Sequence, residues 1–169
     1  MPVTTSADPR QARSVLRASG LTRTFGSGKN LVTAVDHVGF NFHEGEIASI
    51  VGESGSGKTT LMSWILSTLP NTKRLVTIEN DCREFDLVRE DENGNVVNNV
   101  VHTVTRYSED PRQNIDQEKL LEFSLTLNPD IITIGEMKSA EAFAAQEAAR
   151  TGHAVITTTH ANSCAATYY

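Results

Sequence analysis

Gly52-Glu53-Ser54-Gly55-Ser56-Gly57-Lys58-Thr59 meets the pattern G-x-x-x-x-G-K-S/T at every fixed position. The run before it, Ile47-Ala48-Ser49-Ile50-Val51, is apolar and β-branched and follows Glu44-Gly45-Glu46, so it reads as a buried strand. The run after it, Leu61-Met62-Ser63-Trp64-Ile65-Leu66, starts a helix that Pro70 ends. Strand, glycine loop and helix together make the pattern a phosphate site.

The glycines let backbone N–H groups turn inward around an anion, and the helix that follows points its positive end at the same place. Lys58 reaches the β- and γ-phosphates in such a loop, and the Thr59 hydroxyl ligates Mg²⁺. The predicted nucleotide contacts are therefore Gly52, Glu53, Ser54, Gly55, Ser56, Gly57, Lys58, Thr59 and Thr60, with ATP and Mg²⁺ as ligands. The bland alternative is a Gly/Ser linker that precedes a lysine.

A chain of 169 residues suits one domain of ordinary size. Its formal net charge of −6 argues against direct nucleic-acid binding. Cys82 and Cys164 lie far apart without a CxxC, which suggests reduced thiols in a cytoplasmic protein. No apolar run approaches the ~20 residues of a membrane span. Residues 1–13, with Arg10 and Arg13 among serines and alanines, read as a disordered tail.

Residues 14–46 carry β signals. A strand candidate from Val15 to Phe25 breaks at Gly20, and the loop Gly26-Ser27-Gly28-Lys29-Asn30 closes it. Leu31–Val35 is apolar, and Val38–Phe42 alternates with period two. From residue 74 strands alternate with helices. Arg74–Glu79 reads as a strand, Phe85–Arg89 and Val96–Val104 as a hairpin around Asn93-Gly94, and Asn114–Leu127 as a helix capped by Asn114. Ile131–Ile134 is a strand, Ala140–Arg150 a helix capped by Ser139 and closed by Gly152, and Val155–Thr158 a strand. The expected fold is α/β: a P-loop NTPase (RecA-like) core with a mostly parallel sheet and a small N-terminal antiparallel β segment. One domain spans 14–169, and ligands bind where its strands end.

Three polar clusters sit at such ends. They are Glu79-Asn80-Asp81 with Glu84 following, Gly135-Glu136, and Thr157-Thr158-Thr159-His160-Ala161-Asn162 with Gly152-His153 before it. ATP hydrolysis needs a carboxylate to orient water, support for Mg²⁺ and a γ-phosphate sensor. Glu136 fits the first role, Glu79 a supporting one and His160 the third; Thr59, Glu79 and Glu136 are the candidate metal ligands. Glu136 also reads as a solvated strand-end carboxylate, Glu79 as part of a polar turn, and His153 as a cation at a helix C-terminus. Arg106 is a phosphate-facing arginine or a surface charge.

From about Gly52 to Tyr169 the chain resembles the type II/IV secretion ATPases, in particular the tight-adherence pilus and conjugation branch. Leu75-Val76-Thr77-Ile78-Glu79-Asn80 looks like that family's acidic box, and Pro129 to Glu136 like its Walker B. Thr151-Gly152-His153 through His160-Ala161-Asn162-Ser163 looks like its histidine box. The resemblance implies Glu136 as the water-orienting base, Glu79 as a metal or water partner, and His153 and His160 near the γ-phosphate. It also implies a hexameric homo-oligomer, arginines reaching a neighbour's nucleotide, and membrane-embedded secretion or pilus machinery as partner. The location it implies is cytoplasmic, with peripheral attachment at the inner face of the membrane as an option.

Upstream, over about 14–60, Leu21-Thr22-Arg23-Thr24-Phe25-Gly26, Ala34-Val35-Asp36-His37-Val38 and the phosphate loop look like the start of an ABC transporter ATPase. There Phe25 would stack on adenine; alternatively it fills a small core under a sheet continuous with 47–51. No Leu-Ser-Gly-Gly-Gln signature follows. The chain thus reads as a hybrid whose C-terminal helices are absent, since Tyr168-Tyr169 fall inside an expected helix. The rival readings are an ABC transporter subunit and a nucleotide-binding fragment without turnover.

Overall fold

A computed structural model describes residues 13–137 and 141–161. The expected disorder of 1–12, the Ser139 cap, Asn162, Cys164 and the final helix lie outside the described residues. The chain divides into two compact units between Glu44 and Gly45.

In the first unit β1 (Ser14–Phe25) pairs antiparallel with β2 (Val32–His43), from Ser14↔His43 to Phe25↔Val32. The expected break at Gly20 is absent. The strand runs through it, with Gly20 at φ +66 and a register shift between Ala18 and Leu21, a bulge that glycine permits. The two apolar stretches after Leu31 likewise merge into one strand, passing His37 at φ 48. These two strands form a sheet of their own, so the hairpin is not the extension of the 47–51 strand that the sequence suggested. Phe25 is 48% exposed, and the Arg23 guanidinium stands 5.3 Å from its ring centroid. A half-exposed ring beside a cation does not fill a core.

The second unit is built on β3 (Ile47–Gly52), β4 (Arg74–Glu79), β5 (Asn99–Val104), β6 (Ile131–Ile134) and β7 (Ala154–His160). Their order is β3-β7-β6-β4-β5, and every pairing is parallel. All five carboxyl ends therefore lie along one edge of the sheet. Three helices cross between strands: α1 (Lys58–Ser67), α2 (Gln117–Thr126) and α3 (Glu141–Arg150).

The side-chain pattern explains the layers. Ile78, Ile132, Ile134 and Val155 present one sheet face, where Leu120 and Leu121 of α2 and Ala145 and Ala148 of α3 pack against them. The alanines lack bulk, so α3 lies close to the strands. The β3-to-β4 connection runs along the sheet opposite to the connections through α2 and α3. Right-handed crossovers then put α1 on the other face. Asp130 fixes the entrance to two strands by accepting from Lys73 Nζ at 2.7 Å and from Arg74 N at 2.9 Å.

Three local expectations are corrected. The Asn93-Gly94 turn forms, but it closes a single antiparallel bridge, Glu90↔Val96. Beyond it Asn98 replaces the ladder by accepting from Arg89 N and donating to Leu87 O, and residues 99–104 pair parallel with β4. Helix α2 starts after Asp116, whose carboxylate accepts from Lys119 N. Asn114 accepts from Ser108 N instead, because Ile115 is drawn into a bridge with Arg106. Phe123, counted among the apolar positions of that helix, is 51% exposed.

Candidate functional site

The loop after β3 folds as its residue types require. Gly55 and Gly57 take φ +77 and +86, and Gly57 leads into α1 with its carbonyl accepting from Leu61 N. At Gly52 a Cβ would sit 2.8 Å from Ser56 Oγ, so a larger residue there would turn that hydroxyl aside. Lys58 Nζ folds back over the loop, donating to Gly52 O and Glu53 O, both at 2.8 Å. An ammonium has three hydrogens, so one remains for a phosphate oxygen.

A cavity of about 370 Å³ opens above this loop. It is lined by Ser54, Gly55, Gly57, Lys58, Thr59 and Thr60 of the loop and the start of α1, and by Glu84, Gly135, Glu136, Thr158 and His160 from elsewhere in the unit. The walls come from four strand ends, those of β3, β4, β6 and β7. Gly135 N donates to Ile78 O, Met137 N to Thr158 O, and the Thr158 hydroxyl to Gly135 O, so the Glu136 segment is held from both sides. The cation of Lys58 and the positive end of α1 thus share one cavity with two exposed carboxylates, Glu84 and Glu136.

This donor set fits ATP with Mg²⁺. No cluster of three or more His, Cys, Asp or Glu side chains able to hold a metal occurs among the described residues. Magnesium suits such a place, because it binds through one or two carboxylates together with substrate phosphates. Thr59, Glu136 and Glu84 are the groups on hand.

A family model described as type II/IV secretion system protein matches residues 43–169. The chain belongs to that family. It is 34% identical over 122 residues to the type IV secretion system protein VirB11 of Brucella suis biovar 1, covering 70% of this chain and 32% of that one. It is 35% identical over 119 residues to the type IV pilus assembly ATPase PilB of Pseudomonas aeruginosa, covering 70% and 19%. A shorter match, 47% over 55 residues, is to the oligopeptide transport ATP-binding protein OppF of Streptococcus mutans serotype c, covering 32% and 18%. Among solved structures, the VirB11 ATPase of Brucella suis in complex with sulphate aligns with a TM-score of 0.56 at 32% identity, over 73% of this chain and 32% of that one. The Legionella pneumophila ATPase DotB aligns with a TM-score of 0.54 at 32% identity, over 72% and 32%. The chain spans about a third or less of these relatives' own lengths.

In this secretion-family chain, three expected site residues stand elsewhere. Glu79 is fully buried beneath the cavity, with both oxygens engaged. Oε1 accepts from Thr77 Oγ1 at 2.6 Å and lies 3.1 Å from His102 Nδ1. Oε2 accepts from Glu84 N and from Phe85 N at 2.8 Å. Burial pushes this carboxyl up, but the hydrogen bonds from Thr77, Phe85, Glu84 and His102 outweigh it and leave its pKa below the ordinary value. Saturated in this way, Glu79 anchors the loop that carries Glu84 and is not free to ligate a metal or a water. Glu84 is the carboxylate that reaches the cavity.

His153 sits at the amino end of β7, while His160 sits at its carboxyl end. Seven residue steps separate them, and at ~3.3 Å per residue they lie about 23 Å apart. His153 Nδ1 lies 3.0 Å from Thr151 Oγ1 and 3.3 Å from Ala148 O, at the end of α3. It is a helix-terminal residue and does not sense phosphate at this cavity. Arg106 is exposed just past β5 and outside the cavity wall; its backbone pairs with Ile115.

Glu79→Gln is expected to destabilise the fold by about 1–3 kcal/mol at neutral pH, since even with its oxygen turned to the Glu84 and Phe85 amides it accepts from them without the carboxylate's charge. A carboxyl whose folded pKa is depressed contributes fully above its ordinary carboxylate value and loses that contribution as pH falls from there through the lower folded value. The gap between wild type and variant should therefore narrow on acidification. Urea denaturation at neutral pH and near pH 4 measures it, and an unchanging gap would contradict the linkage.

Proposed function

We propose that this chain is the nucleotide-binding and hydrolysing core of a secretion-type ATPase. The observation that carries this reading is the cavity, which Lys58 and the phosphate loop line together with Glu84 and Glu136. Lys58, Thr59, Thr60 and the amides of 54–57 bind and orient the phosphates. Magnesium, when bound, neutralises charge developing on the β- and γ-oxygens. Glu136 orients and deprotonates the attacking water, with Glu84 as the alternative at the same cavity. His160 lines the same cavity, where its imidazole would reach the γ-phosphate.

The names of VirB11 and PilB support a role in type IV secretion or pilus assembly, and the resemblance carried by the sequence motifs extends the proposal to a homo-oligomer working with membrane machinery. No described helix is long and apolar enough to cross a membrane, and a cytoplasmic protein at the inner membrane face is the proposed location. The sequence motifs of about 14–60 make that segment ABC-like, joined at the phosphate loop to a core of the tight-adherence and conjugation branch, and the 55-residue match to OppF supports an ABC-like part of the chain. Adenine stacking requires an exposed aromatic ring, and Phe25 has one.

Steady-state phosphate release with Mg²⁺ and ATP, alongside a light-scattering mass, tests this reading. Saturable turnover that disappears on chelation of Mg²⁺ is expected. Saturable ATP binding without phosphate release would instead favour a nucleotide-binding module.

A further inference from the structure

Gln117 lies in the first turn of α2 and is 3% exposed. The helix does not need it there, since Asp116 already provides the cap. Its Nε2 donates twice, to Asn80 Oδ1 at 2.7 Å and to the Glu136 carbonyl at 3.0 Å. Asn80 opens the loop that leads from β4 to Glu84. Glu136 is the carboxylate residue on the facing loop. One amide nitrogen thus joins the two segments that bring carboxylates to the cavity.

The other half of the same side chain shows what the position selects for. Gln117 Oε1 is buried with no hydrogen-bond partner among the described residues. Unpaired buried acceptors are disfavoured, so an apolar residue of equal length would suit this pocket better if packing alone mattered. Only a donor of two hydrogens from one atom satisfies both Asn80 and Glu136. A glutamate would set oxygen against the Glu136 carbonyl, which can only accept, and would break the join even where the Asn80 amide turned over to donate.

We propose that Gln117 is a positioning residue that clamps the Asn80–Glu84 loop to the Glu136 segment and so fixes how the two carboxylates face each other. The proposal rests on reading the cavity as the hydrolytic site. The clamp acts through backbone and through Asn80, and it touches neither nucleotide nor metal. Its signature is therefore a loss of turnover with nucleotide affinity retained.

The test uses the full chain with Gln117→Met, Gln117→Glu, Asn80→Ala and the double variant Gln117→Met/Asn80→Ala. Hydrogen exchange of Gln117→Met should accelerate about 10-fold in both 80–86 and 135–137, the local effect of one lost hydrogen bond, with β4 and β6 unaffected. In steady state, kcat should fall ~10- to 100-fold while KM for ATP and Tm hold, as for other outer-shell partners. The double variant should be no worse than Gln117→Met alone, because both changes break one unit. Gln117→Glu, which keeps the volume, should lose kcat likewise. Unchanged exchange in either loop, or wild-type kcat in both folded Gln117 variants, would overturn the clamp. If the unmodified chain releases no phosphate, the hydrolytic reading fails on its own, and the exchange measurement still decides whether the clamp exists.

Discussion

Lys58→Ala is expected to weaken ATP binding roughly 10- to 150-fold, the equivalent of about 1.5–3 kcal/mol for a hydrogen bond to a charged group. Two of the three ammonium hydrogens are held by the Gly52 and Glu53 carbonyls, which aims the remaining one from a fixed point. Removing the side chain deletes a charge-assisted contact and also releases those carbonyls toward the cavity, where they would repel phosphate. The loop itself should survive, since its turns depend on Gly55 and Gly57 and on the Leu61–Gly57 hydrogen bond. Calorimetric titration of ATP into both proteins at one ionic strength measures the effect. Equal affinities would place the nucleotide elsewhere.

The parts of this site that were legible in the sequence are those whose chemistry is local. The phosphate loop is defined by glycines and a lysine at fixed spacing, and the strands Arg74–Glu79 and Ile131–Ile134 by short β-branched runs. What was not legible depends on partners far away in the chain. Residues 99–104 look like half of a hairpin until β4 is present to take them as a parallel neighbour. The start of α2 is shifted by a bridge between Arg106 and Ile115 that no helix signal encodes.

Glu79 and His153 failed for reasons of direction and length, and both carried a readable sign. Alternation puts Glu79 on the same strand face as Thr77, whose side chain is buried, and so points it inward. His153 and His160 are neighbours in a motif, yet a full strand lies between them. Glu84 had no comparable signal. Its place in the cavity follows from Glu79 gripping the Glu84 and Phe85 amides, a contact visible only in the fold.

Glu136→Gln should leave ATP binding within a few-fold of wild type and reduce turnover by ~10² or more, because it keeps the side chain's shape while removing the charge that orients and accepts a proton from water. Two carboxylates share the cavity, so geometry must choose between them. Glu136 follows a strand that is buried along its length, and its segment is tied down by four hydrogen bonds: Gly135 N to Ile78 O, the Thr158 hydroxyl to Gly135 O, Gln117 Nε2 to the Glu136 carbonyl, and Met137 N to Thr158 O. Glu84 stands on a loop tied through Asn80 to Gln117, through the Asp81 amide to Thr105 and through the Glu84 and Phe85 amides to Glu79, but it lies five residues past the end of β4, whereas Glu136 lies two past the end of β6. Precise placement of a base is worth orders of magnitude in rate, and the better-fixed group is the better candidate. Glu84→Gln should therefore lose less turnover than Glu136→Gln, with metal affinity as its more sensitive readout. Single-turnover phosphate release at saturating Mg²⁺ and ATP separates the two. A near-complete loss in Glu84→Gln beside normal turnover in Glu136→Gln would reverse the assignment and make the loop carboxylate the base.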